Sequence, residues 1–113
     1  MESIDKQSLL YDFYGELLTE HQRTVYEDVV FNDMSLGEIA EEQGISRQGV
    51  HDLIKRCDKI LMAYEEKLHL ISKFRETREM VAEIHALTGK FKETKDMSLI
   101  ENIEQISSDI IEL

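Results

Sequence analysis

The stretch S-L-G-E-I-A-E-E-Q-G-I-S-R-Q-G-V, Ser35 to Val50, leaves the backbone few local options. Leu36, Ile39 and Ala40 fall at helical spacing, Gly44 follows, and Ile45, Val50 and Leu53 resume an apolar stripe beyond it. Ser35 stands where its hydroxyl can accept the N–H of Glu38 while the Glu38 carboxylate reaches back, which opens a helix with a capping box. Gly44 then closes that helix, because a left-handed residue costs glycine no Cβ clash. Ser46 is the expected N-cap of the next helix. Ala40 is small where two helices must cross, and the three residues Gly44 to Ser46 suit the tight corner of a helix-turn-helix.

The rest of the chain agrees with an all-α fold. It has no proline and only five glycines, and no stretch alternates for long with period two. At 113 residues it can bury one modest core. The single cysteine, Cys57, has no internal disulfide partner and falls on the stripe Leu53, Cys57, Ile60, Tyr64, where it reads as a small core residue of a protein in a reducing compartment. No run of about 18 apolar residues and no basic-then-apolar leader is present, so a cytoplasmic protein without membrane insertion is expected.

Five helical segments follow from the pattern. The first runs from about Ile4 to Leu18, with Leu9, Leu10, Phe13, Tyr14, Leu17 and Leu18 as its apolar face. Thr19 with Gln22 makes a second capping box, opening a helix that carries Val25, Tyr26, Val29 and Val30, and Asn32 with Asp33 turns the chain into the helix-turn-helix. Between Gly49 and Gly89 nothing interrupts. A straight helix from Arg47 to Thr88 would reach about 60 Å, so it must bend, break near Leu70 to Lys73, or lie against another chain. Lys90 to Asp96 reads as a polar linker. Ser98 with Glu101 makes a third capping box, after which Leu99, Ile103, Ile106, Ile110 and Leu113 recur with a 3.5-residue period. That strip either folds back on the long helix or packs against a second subunit. A homodimer accounts for both the long helix and the strip. The expected division is a helix-turn-helix domain over residues 1–72 and a helical extension over 73–113.

Enzyme chemistry has little to stand on. His21, His51, His69 and His85 lie far apart, and no Cys/His cluster has zinc spacing. Glu66-x-x-His69 is half of a carboxylate-bridged metal pattern whose second half is missing. There is no glycine-rich phosphate loop and no G-x-S-x-G elbow. No catalytic residue, metal or cofactor is expected.

Charge sharpens the question of a partner, since the net charge is −11. Up to Met34 there are two basic and eight acidic residues, from Ser35 to Lys59 four and five, and from Ile60 onward seven and eleven. Phosphate contacts supply much of the affinity of nucleic-acid binders, and here long-range repulsion opposes them. Even so, Arg47, Gln48, His51 and Lys55 share one exposed face of the second motif helix, with Ser46, Arg56 and Lys59 beside it and Asp52 interrupting it. Arg47 and Gln48 can make bidentate contacts to base edges. The same face can also meet an acidic or polar protein surface.

Leu17 to Leu70 resembles the YlxM family of small bacterial proteins, most clearly at Ser35 to Ala40, at Ser46-Arg47-Gln48, and at Ile54-Lys55-Arg56 followed by Tyr64-Glu65-Glu66-Lys67-Leu68. The helical arrangement is similar to region 4 of bacterial sigma factors. Membership implies a fold shared with domains that hold promoter DNA. It also implies a gene neighbourhood with the signal recognition particle GTPases, and hence an accessory or regulatory role with the particle's RNA, its GTPase, or both. A dimeric transcription regulator on duplex DNA is the alternative, with half-sites about 34 Å apart.

Overall fold

The computed structural model describes residues 2–113 as six α-helices. In order they are α1 (Ile4–Tyr14), α2 (Glu20–Val30), α3 (Leu36–Gln43), α4 (Arg47–Leu68), α5 (Leu70–Thr94) and α6 (Met97–Ile111), with a 3₁₀ turn at Gly15–Leu17. No strand occurs among the described residues. The chain divides into two compact units, Met1–Ile71 and Ser72–Leu113.

In the first unit the short helices α1, α2 and α3 all pack on α4. Each starts where a side chain relieves the first unpaired N–H groups. Ser3 accepts from Lys6, Ser35 from Glu38, and Thr19 and Gln22 form the full reciprocal box. The first helix stops earlier than expected, at Tyr14 rather than Leu18, where the chain passes into the 3₁₀ turn with Gly15 close against the Tyr11 ring. A Cβ there would lie 2.7 Å from that ring. The turn that follows swings Leu17 outward, 53% exposed, while Leu18 stays in the core.

The core centres on α4, whose Val50, Ile54, Cys57 and Leu61 are fully enclosed by Leu10, Tyr14, Val25, Tyr26 and Ile39. Leu53, Ile60 and Tyr64, expected on this stripe, sit at its edge. Each large side chain enclosed this way stabilises the fold by about 1.5–3 kcal/mol. Burial pushes the Cys57 thiol up to about 11, so it stays protonated and inert.

One carboxylate also lies inside. Asp58 is 3% exposed and accepts from Tyr26 Oη at 2.6 Å, Gln7 Nε2 at 3.1 Å and the Glu2 backbone N–H at 3.3 Å. These bonds join α1, α2 and α4 through a single side chain, and they satisfy a charge that would otherwise be costly to enclose. Tyr26 holds its proton well above the usual phenol range, through burial first and its bond to Asp58 second.

The long helical span breaks at one residue, His69, in left-handed conformation at φ 55°. The break falls just before the expected Leu70 to Lys73. It is held by Glu65, which accepts the Tyr14 hydroxyl at 2.5 Å and the Ile71 N–H at 2.9 Å, and by Tyr14 Oη, which accepts the Leu70 N–H at 3.2 Å. Two opening N–H groups of α5 are therefore satisfied by side chains from earlier helices.

The second unit contains most of α5 and all of α6. The expected linker over Lys90 to Asp96 shrinks to Lys95 and Asp96, because α5 runs on to Thr94 with Phe91 on its apolar side. The cap of α6 is Asp96, which accepts from both the N–H and the hydroxyl of Ser98. Ser98 thus serves Asp96 rather than a box with Glu101, and those bonds hold the Asp96 carboxyl below its usual range. A two-residue connection makes an αα-hairpin. Its half-buried residues mirror one another about Lys95: Phe91 and Leu99 four residues away, Leu87 and Ile103 eight, Ile84 and Ile106 eleven, Met80 and Ile110 fifteen. Leu99, Ile103, Ile106 and Ile110 are thus the half-buried side of α6. No residue of α6 is fully buried.

Candidate nucleic-acid interface

The site is the corner between α3 and α4 together with the outer face of α4. Gly44 ends α3 at φ 69°, a region that glycine enters without strain, and its N–H closes on Ala40. Ile45 leads into Ser46, whose hydroxyl accepts the Gly49 N–H at 2.9 Å. Ser46 therefore acts as the cap of α4 and directs the residues that follow. Gly49 costs some helix propensity, yet a Cβ there would sit 3.2 Å from the Ser46 hydroxyl. Its absence keeps the cap open.

At about 100° per residue, Arg47, Gln48, His51, Lys55 and Lys59 fall within one third of the α4 circumference, with Arg56 at the edge. All but the half-buried His51 are exposed. The structure brings these predicted side chains onto one surface, and it adds two partners that sequence reasoning missed. The Arg47 guanidinium lies across Gly37, where a Cβ would come within 3.0 Å of Nε and Nη2. Gly37 thereby lets Arg47 rest on the first turn of α3.

The other partner is Asp52, read from the sequence only as an interruption of the basic face. Gln48 Nε2 donates to its Oδ1 at 2.9 Å, and His51 Nδ1, shielded from solvent, lies 3.7 Å from the same oxygen. The i,i+4 spacing of Gln48 and Asp52 was the available signal. With one amide hydrogen held by Asp52, Gln48 retains a second hydrogen and its carbonyl for an outside partner. Lys59 extends the face toward a groove of about 390 Å³ that it lines together with Lys6, Leu10, Met62, Glu65 and Glu66.

Chemically, the surface offers three guanidinium or ammonium groups on one helix face, an amide with a fixed plane, and an imidazole edge. Those groups recognise phosphate and base or carboxylate. Glu66 and His69 do not pair as a metal half-site, because His69 has left the helix in left-handed conformation. Among the described residues no three His, Cys, Asp or Glu side chains gather into a cation site.

The family model described as "Putative helix-turn-helix protein, YlxM / p13 like" matches residues 1–106. The chain belongs to the UPF0122 family. It is 42% identical to the UPF0122 protein YlxM of Bacillus subtilis over 107 residues, covering 94% of this chain and 97% of that one. A UPF0122 protein of Thermoanaerobacter sp. is 43% identical, covering 94% and 92% of the two chains. One from Desulforamulus reducens is 48% identical over 90 residues, covering 79% and 77%. UPF0122 membership agrees with the all-α, helix-turn-helix reading, and among the described residues no helix is long and apolar enough to cross a membrane.

Proposed function

We propose that this UPF0122 protein is a non-enzymatic accessory or regulatory factor of the cytoplasmic signal recognition particle. It binds the particle's RNA, its GTPase, or both through the outer face of α4. The observation that carries this reading is the gathering of Arg47, Lys55 and Lys59 on one exposed helix face of a chain whose net charge is −11. A general DNA scanner gains from an overall positive field, whereas here the net charge opposes polyanions and this face gathers cations. Such an arrangement rewards a partner that fits the face in detail. Ser46 and Gly37 support the reading by fixing where Arg47 starts and lies.

A second reading, a dimeric DNA-binding regulator, is favoured by the helix-turn-helix corner itself, with its left-handed Gly44 and capped α4. Titrating labelled particle RNA, with and without the GTPase, against a random DNA duplex at two salt concentrations separates the two. The accessory reading expects particle components to bind preferentially. Equal or tighter binding of the duplex would overturn it in favour of the regulator.

A further inference from the structure

The break between α4 and α5 has no cause in its own sequence. Glu65 to Lys73 reads E-E-K-L-H-L-I-S-K, without glycine or proline and rich in good helix formers. The apolar register also runs through it. Val50, Ile54, Cys57 and Leu61 are spaced by four, three and four, and Tyr64, Leu68 and Ile71 carry the same alternation on. A helix continued past His69 would thus keep Leu68 and Ile71 on the side of Leu61 and Tyr64. Instead Leu68 is 46% exposed, and His69 takes φ 55°, a left-handed conformation in which its Cβ crowds the backbone.

What opposes the local preference is a set of hydrogen bonds that begins two helices earlier. The Tyr14 ring is buried and stacks on Tyr64 with centroids 6.1 Å apart, and its hydroxyl reaches the break. That hydroxyl donates to Glu65 and accepts the Leu70 N–H, while Glu65 accepts the Ile71 N–H. In a continuous helix those two N–H groups would go to the carbonyls of Glu66 and Lys67, so the bend exchanges two backbone bonds for bonds to side chains. We propose that Tyr14 and Glu65 form a latch and that the chain has two states: latched, with His69 left-handed, and released, with α4 running through His69 into α5 as one helix. Glu65 also lines the groove beside Lys59. The carboxylate that holds the latch is therefore reachable from the proposed interface, a link that rests on that interface while the latch itself does not.

Nuclear magnetic resonance of the full chain tests the proposal at the backbone. The native chain should give His69 the strong intraresidue N–H to Hα cross-peak of a positive φ, without the helical Hα to N–H cross-peaks from Lys67 to Leu70 and from Leu68 to Ile71. Tyr14→Phe combined with Glu65→Met keeps the ring and the helix propensity but removes the latch, so both helical cross-peaks should appear and the His69 signature should vanish. Adding His69→Gly to that pair should shift the population back toward the bend by about fivefold or more, because glycine enters the left-handed region without strain and weakens a helix interior. Should the pair not fold, Tyr14→Phe alone, which takes a single hydroxyl from the core, should show the helical cross-peaks at partial intensity. A left-handed His69 unchanged in these variants would overturn the proposal, as would full-intensity helical cross-peaks through His69 in the native chain.

Discussion

The unit ending at Ile71 and the hairpin that follows it are both helical, yet they hold together differently. In the first, α4 is wrapped by three shorter helices, and Val25, Tyr26, Ile39, Val50, Ile54, Cys57 and Leu61 are shut off from solvent. In the second, α6 has the more regular stripe but buries nothing completely. Periodicity decides which side of a helix is apolar; the number of neighbours decides how much of that side is enclosed. Two helices with few neighbours leave their flanks wet.

This difference has measurable consequences. Ile54→Ala should cost about 3–4 kcal/mol in urea denaturation, as an enclosed isoleucine leaves a cavity, whereas Ile103→Ala, half-covered, should cost roughly 1 kcal/mol. Equal costs would break the comparison. Next in size is Asp58→Ala, which leaves Tyr26 and Gln7 without their acceptor inside the core and should cost about 2–3 kcal/mol. A loss within a few tenths would mean those groups find water. The smallest effect is that of pH. Cys57 titrates higher in the folded chain than its ordinary 9.0, so its contribution is complete below that value and is lost as pH rises toward about 11. Tyr11, Tyr14 and Tyr26 are raised as well and act in the same direction. The urea midpoint of the first unit should therefore fall above pH 9, and a flat midpoint would refute the enclosure of these groups.

Much of this architecture was legible in the sequence, where the determining bonds are local. Thr19 with Gln22, Ser35, Gly44 and Ser46 all act within one helical turn and each occupies the predicted place, although Ser35 caps α3 through the Glu38 N–H alone, without the reciprocal bond of the expected box. What was hidden depends on residues far apart. Asp58 reads as one more surface acid until Gln7 and Tyr26, from two other helices, are brought to it. The polar run Lys90 to Asp96 reads as a linker, yet α5 carries on through it to Thr94 with Phe91 half-buried. At the candidate interface the basic residues could be placed on one face by spacing alone. Gly37 under Arg47 could not, since that approach exists only once α3 and α4 cross.

Where the proposed partner is the particle's RNA, the cations of α4 meet phosphate. That contact is tested most directly by the dependence of particle-RNA affinity on salt, for the wild-type chain and for Arg47→Ala combined with Lys55→Ala. Both residues are exposed, so the variant should fold normally. The account predicts that the slope of log affinity against log salt falls by roughly 1.5–2 in the variant, about one unit for each lost phosphate contact. An unchanged slope, with affinity intact, would contradict it.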